Sequence, residues 1–424
     1  MEGGHFRGPS RTLLNCSSDD QLCRVQTYEP EVIIVPVLFV GVSVILLAAI
    51  FCLQYRARKQ RDHEKQDAQS QQRLGHQTST ISLEDLSLES VLRTKDASLQ
   101  TLETPRENIR RPLQLVGEGR FGPIYRTVLR DPEGGRERNI IIKQLRDVSR
   151  THATAEPREV RYFLKRAAFQ PWLGQHAHLV DMLGCCSLQE PFYIIQENLE
   201  PGSLLNFLWD CRRDVMSMDG ILYDITECQV YSIALQILSA LEFLHQRNLL
   251  HGDVAARNVL IQSNFTAKLS GLGGACDMRL RGTFPSRRPA PLKWMAPERL
   301  LHLPLSVKSD IWSFGIFMYE MITLGAPPYP EIPPSNILQH LQRGNILTRP
   351  SNCNPSMYSI MKSCWAWKAS DRVSPSNLRK RLEVGKKNSN DKTVLQVPEL
   401  VVPELYAVVA GTEILKMETD YTVL

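Results

Sequence analysis

The longest apolar run in the chain is Val32 to Leu53, VIIVPVLFVGVSVILLAAIFCL, and it carries no charged residue. About 22 residues rising 1.5 Å each make a helix of roughly 33 Å, enough to cross a bilayer. Helices of a globular core are seldom apolar on every face for so long. A cleaved leader would be shorter and would begin earlier, on a basic segment. The pattern therefore predicts one transmembrane helix over 32–53. From Tyr55 to Asn108 the chain is rich in Gln, Ser, Thr, Lys and Asp, which predicts a polar juxtamembrane linker over 54–108. From Leu113 alternating apolar positions predict strands, and longer stretches with apolar residues at helical spacing follow. That order predicts an α+β domain over 109–384, a strand-rich lobe followed by a helical one. Polar residues return after about Glu383. The tail, 385–424, holds a short duplication, Val397-Pro398-Glu399-Leu400 and Val402-Pro403-Glu404-Leu405, whose prolines rule out one continuous helix.

The charges beside the apolar run orient it. Arg56, Arg58, Lys59 and Arg61 follow it, and Glu29 and Glu31 precede it. Lys and Arg stay on the cytoplasmic side, so residues 1–31 are expected outside and everything after the span in the cytoplasm, with the plasma membrane as the expected location and membrane lipid as a partner. The outer segment contains Asn15-Cys16-Ser17, an N-glycosylation acceptor pattern, and Cys16 and Cys23, paired or free. It is too small to build a ligand-binding core. The net charge of +5 is slight for 424 residues and argues against a nucleic-acid partner. The ten cysteines include no CxxC pair and no zinc spacing with histidine, which argues against a cysteine metal site.

Chemistry concentrates in a series of short motifs. Val116-Gly117-Glu118-Gly119-Arg120-Phe121-Gly122-Pro123-Ile124 has the GxGxxG spacing, whose glycines let backbone lie close over phosphates. Dinucleotide folds share that spacing, and a plain hairpin turn would also satisfy it. About twenty residues later Ile140-Ile141-Ile142-Lys143 reads as a buried strand ending in a lysine, which suits an ATP-phosphate anchor better than a ribose-binding acid. His251-Gly252-Asp253-Val254-Ala255-Ala256-Arg257-Asn258 places an Asp and an Asn five residues apart, a base and a metal ligand in phosphoryl transfer. Ala296-Pro297-Glu298, Ser309-Asp310-Ile311-Trp312-Ser313-Phe314-Gly315, Cys364-Trp365 and Asp371-Arg372 follow.

In this order and at these spacings, from Leu113 to Glu383, the chain resembles the protein-kinase family. HGDVAARN and Pro291-Leu292-Lys293-Trp294-Met295 are similar to the catalytic loop and the tyrosine-seating segment of its tyrosine-kinase group. The resemblance implies a two-lobed protein-kinase fold behind one transmembrane helix. It also implies transfer of the ATP γ-phosphate to protein tyrosine, with ATP and magnesium as cofactors and protein substrates as partners. It gives Asp253 the role of base and Lys143 that of phosphate anchor. Lys143 would pair with Glu159, or alternatively Glu156, and Asn258 would hold the metal. Gly117, Gly119 and Gly122 would cover the phosphates and Ile124 would pack on the adenine. Gln196 would be the gatekeeper, with Glu197 and Leu199 offering backbone bonds to the adenine. Glu298 and Arg372 would form a buried ion pair, and Asp310 would brace the catalytic loop.

Two positions depart from the family. The Asp-Phe-Gly triplet is replaced by Gly271-Leu272-Gly273, so the Asp that grips magnesium is absent, and Asp277 lies beyond the position that would replace it. Gly252 stands where the family has an arginine that receives an activation-segment phosphate. From Gly271 to Glu298 there is no tyrosine, and only Thr283 and Ser286 are candidate phosphate sites. Two readings follow: a tyrosine kinase, or a pseudokinase scaffold with little or no turnover. In the tail, Tyr406 and Tyr421 are read as exposed phosphorylation sites for phosphotyrosine-binding modules. The terminal Thr422-Val423-Leu424 is read as a strand that could add to a PDZ domain.

Overall fold

The structure is a computed structural model and describes residues 97–131, 135–146, 157–212, 223–282, 290–397 and 403–410. The run 32–53, the glycosylation pattern at Asn15, Cys16, Cys23, Glu156, Thr283, Ser286, Tyr421 and Thr422-Val423-Leu424 lie outside the described residues. Among the described residues no helix is long and apolar enough to cross a membrane.

The first lobe is an antiparallel sheet of order β1-β2-β3-β5-β4, formed by β1 (Gln114–Gly119), β2 (Gly122–Arg130), β3 (Glu137–Gln144), β4 (Met182–Cys186) and β5 (Tyr193–Glu197). Period-two alternation divides its side chains between two faces. Ile140 and Ile142 of β3 pack with Tyr193 and Ile195, while Ile141 packs with Ile124 on the opposite face. Helix α2 (Pro157–Leu173) buries Val160 and Phe163 against Phe192 and Ile194. The short helix α1 (Ala97–Gln100) belongs to this lobe too, because Leu99 is buried in the same cluster. Nearby, the Glu103 carboxylate accepts hydrogen bonds from the Ser187 amide at 3.0 Å and its hydroxyl at 2.6 Å. The polar composition of 97–108 conceals these two anchors.

The second lobe carries a small sheet, β6 (Pro201–Ser203), β7 (Val259–Gln262) and β8 (Ala267–Leu269), and the remaining helices. These are α3 (Leu204–Asp210), α4 (Glu227–His245), α5 (Gly273–Arg281), α6 (Pro297–Leu300), α7 (Val307–Ile322), α8 (Ile337–Gln342), α9 (Pro355–Cys364), α10 (Pro375–Asn388) and α11 (Pro403–Ala410). Two central helices start on capping boxes, Thr226 with Gln229 for α4 and Ser306 with Ser309 for α7, which satisfy the free amides of the first turn. Helix α7 is buried along almost its whole length and anchors the lobe. Arg372 grips Glu298 with two bonds of 2.7 Å, the fork geometry of a strong buried pair.

The tail corrects one expectation. Tyr406 is not an exposed phosphorylation site; it is fully buried in α11, which begins at Pro403. Proline is well suited to a first helical position because its missing N–H needs no partner there. Tyr406, Ala407, Val409 and Ala410 face the lobe, and Leu405 and Val408 face solvent. Alternation in the sequence does not show this docking, since it depends on two tryptophans almost 200 residues and more than 100 residues earlier in the chain.

Candidate active site

The catalytic loop is held from below. Asp310, at the start of α7, accepts the amides of His251 at 2.9 Å and Gly252 at 2.8 Å, and faces the His245 ring at 2.9 Å. These contacts hold its carboxyl below the usual range despite the opposing effect of burial. Asp253, the expected base, has both oxygens engaged: Arg257 forms an ion pair with Oδ1, and Asn258 Nδ2 donates to Oδ2 at 2.9 Å. Asn258 Nδ2 also donates to the Asp253 carbonyl at 2.8 Å. Asn258 Oδ1 is buried and has no partner among the described residues. Facing it is Gly271, with φ of +72°, where an added Cβ would stand 2.7 Å from Asn258 Oδ1. The amide thus occupies the space that a side chain at 271 would need in this conformation.

Strand register sets Lys143 opposite Ile124 on one side and Ile194 on the other. Its amine is buried, and its pKa is lowered to about 7, chiefly by desolvation and then by the charge of Arg166. Among the described residues no carboxylate bonds to it. Glu159, the expected partner, is exposed in the first turn of α2. The charged helix residue that lines the lysine's cavity is Arg166, seven positions later, beside Phe163, Phe169 and Gln170 of the same helix. Seven residues are close to two turns, so the two share a face but stand about 10.5 Å apart along the axis. A carboxylate at 159 therefore cannot stand in for one at 166. Arg166 turns instead to α5, with an ion pair to Asp277 at 3.3 Å and a bond to the Gly273 carbonyl at 3.1 Å. The Tyr162 hydroxyl also donates to Asp277, which is itself fully buried.

The residues expected on the nucleotide side lie where the strands put them. Gly119 ends β1 and Gly122 begins β2, with Gly117 beside a register shift in β1. Gly122, with φ of +145°, lies so close to β3's end that a Cβ would meet the Arg146 amide at 2.7 Å. The loop tip folds inward, its Phe121 lining the same cavity as Lys143 and Gly271 and meeting Phe163 edge-on at 5.4 Å. Gln196 lines that cavity too and donates to Gln170 at 3.2 Å. Glu197 is tied by its side chain to the Asp181 amide at 2.7 Å and Lys268 at 2.6 Å. Ile124, Ile141, Val180, Leu199 and Leu260 form one buried apolar cluster. Ile141 occupies the alanine position of the family's V-A-I-K strand, so its added carbons fill space at the cleft's roof.

Other contacts escape motif reading. A guanidinium does reach the loop beside Gly252: Arg299, just after Ala296-Pro297-Glu298, donates to the Gly252 carbonyl. Its neighbours include the charges of Asp253 and Asp310. Arg166 offers a faint signal in hindsight, its helical phase with Glu159. Glu320, buried in α7 and pushed up to about 7 by desolvation, gives none in the sequence.

Residues 111–382 match the family described as protein tyrosine and serine/threonine kinase. The chain is 47% identical to the human tyrosine-protein kinase STYK1 over 98% of this chain and all of that one. It is 45% identical to the mouse tyrosine-protein kinase STYK1 over the full length of both. The human tyrosine-protein kinase ABL2 is 34% identical over 61% of this chain and 20% of its own length. Fold, motif order and matched range agree, and the chain belongs to the protein tyrosine and serine/threonine kinase family.

Proposed function

We propose that this protein is a tyrosine-kinase-like signalling protein that acts chiefly as a kinase-fold scaffold, with weak or no phosphoryl transfer of its own. The observation that carries this is Arg166. The family's Lys–Glu pair orients the lysine on the nucleotide phosphates, and here a cation faces Lys143 where that reading needs an acid. The donor set for magnesium points the same way. Magnesium favours anionic oxygens in octahedral array; Asn258 Oδ1, opposite Gly271, is neutral, and the neighbouring Asp253 carboxylate is already engaged by Arg257 and Asn258. The residues present do not fit a protein-held magnesium ion, so no step is routed through one. Nucleotide bound here would rest on Lys143 and apolar packing and would depend little on the metal.

The test is magnesium-dependent phosphorylation of a tyrosine peptide by the purified full-length protein, beside a Lys143→Met control. No signal above the control is expected. Turnover at ordinary kinase rates, about 1–100 per second, abolished in Lys143→Met, would overturn the reading. The second reading, an active tyrosine kinase with ATP and magnesium, is favoured by Asp253 and Asn258. They stand five residues apart on one loop and are joined by a hydrogen bond of 2.9 Å, and Asp253 would accept a substrate hydroxyl proton once Arg257 yields.

The apolar run 32–53 and its basic flank support a membrane anchor with residues 1–31 outside and the kinase domain in the cytoplasm. Protease added outside intact cells is then expected to leave the domain whole. Protein partners, including a PDZ domain at Thr422-Val423-Leu424, belong to the same proposal.

A further inference from the structure

The hydroxyl of Tyr406 stands between the two side chains that carry the middle of the catalytic loop. It donates to Glu320 Oε1, and the other oxygen of Glu320 accepts the Ala256 amide at 2.9 Å. It accepts from Arg257 Nη1 at 3.4 Å, while the other end of that guanidinium is paired with Asp253. The ring meets Trp294 at 5.4 Å between centroids and Trp209 at 5.8 Å, both near edge-on, and Arg257 lies over Trp294 at 4.4 Å. The tail approaches along the lobe. Thr226 donates to Asp391 at 3.4 Å, and the Leu395 amide bonds the Ile225 carbonyl at 2.8 Å.

From this arrangement we infer that the tail segment Pro403–Ala410 is a releasable brace of the catalytic loop, and that Tyr406 is the phosphorylation site that fixes its release. The groove between α3, the turn Leu292–Trp294 and α7 holds a tyrosine in its hydroxyl form only. Phosphate would add a charge of about −1.5 to −2 and three further oxygens. Glu320 already lies within bonding distance of the phenol oxygen, and Arg257, the cation bonded to that oxygen among the described residues, is committed to Asp253. The modifying step belongs to a separate tyrosine kinase acting on the undocked tail. The phenol oxygen forms a bond to the γ-phosphorus of ATP, the bond to ADP breaks, and the phenolic proton passes to that enzyme's base. The modified tail does not redock, and Ala256 and Arg257 lose the support that passes through Tyr406. The inference does not depend on whether the cleft turns over.

The experiment uses the full-length protein, an active tyrosine kinase with ATP, and hydrogen exchange read by mass spectrometry. Docked Tyr406 is expected to be phosphorylated about tenfold or more slowly than in a free peptide spanning 400–412, because only the open fraction reacts. Trp209→Ala, which removes one wall of the groove, is expected to raise that rate. Phosphorylated protein and a chain truncated after 402 should both exchange about tenfold faster over 251–258. Tyr406→Phe keeps the ring and loses the hydroxyl bonds, so exchange there should rise about fivefold, which keeps the test open if truncation unfolds the lobe. Equal phosphorylation rates in protein and peptide, or unchanged exchange over 251–258 in both the phosphorylated and Tyr406→Phe proteins, would overturn the inference.

Discussion

Lys143 shows how one altered neighbour changes the meaning of a familiar residue. A kinase lysine is normally stabilised by its acid, so its loss exposes a partner; here burial and Arg166 both oppose its charge. The amine's pKa falls from its ordinary 10.5 to about 7 in the folded protein. The unfolded chain therefore binds more protons between those values, and stability rises with pH across that window. The penalty is largest below about 7 and fades toward 10.5. Lys143→Met is expected to be more stable than the wild type at pH 6–7, by about 2–4 °C in Tm for each kcal/mol relieved. The gain should shrink as pH approaches 10. A loss of Tm at pH 7 would mean that an acid pairs with the lysine. Gly271 offers a second test at this scale. Gly271→Asp places a side chain against Asn258 on a left-handed backbone, so it should cost about 1–3 kcal/mol without ligand. Magnesium with nucleotide should then raise the variant's Tm more than the wild type's.

At the scale of elements, the decisive contact joins α2 to α5. Arg166 and Asp277 are both buried, and the Tyr162 hydroxyl completes the carboxylate's bonding. The arrangement holds α5 against α2 and engages both oxygens of Asp277. Asp277→Asn, nearly isosteric, leaves the Arg166 charge buried with only neutral partners and should cost about 3 kcal/mol. Hydrogen exchange over 273–281 should accelerate more than in the rest of the lobe; uniform change would mean that the pair does not hold this helix specifically. Contacts of this kind mark the limit of what the sequence tells. Asp253 and Asn258 were legible because phosphoryl transfer needs those residue types at a short, fixed spacing, and Asp310, Glu298 and Arg372 were legible through the resemblance of the motifs that hold them. That Arg166 stands beside Lys143, and not Glu159, was not legible, since the two share a helix face and only the position of α2 along the sheet decides which one reaches the lysine. Tyr406 was misread for a related reason. Polar flanks and two prolines describe a tail well, but burial there is set by Trp209 and Trp294, which no local pattern connects to it.

The whole molecule ends neither at its first motif nor at its last. The family match covers 111–382, yet the folded unit reaches beyond it on both sides. Upstream, Leu99 is 6% exposed in the first lobe's core and Glu103 closes the polar groups of Ser187. Downstream, Leu395, Tyr406 and Val409 are buried in the second lobe, and Tyr406 completes the bonding of buried Glu320. A fragment cut to 109–384 loses all of these and uncovers Trp209 and Trp294. Burial of each large apolar side chain is worth about 1.5–3 kcal/mol, and a domain's whole net stability is only about 5–15 kcal/mol. The losses are expected to add, because the upstream and downstream segments pack on different lobes. The 97–410 fragment is therefore expected to melt cooperatively, and the 109–384 fragment to melt more than about 10 °C lower or to aggregate on purification. Fragments ending at 384 but starting at 97, and starting at 109 but ending at 410, should fall between them. Equal melting of all four would show that the flanking segments lie on the lobes without contributing to their stability.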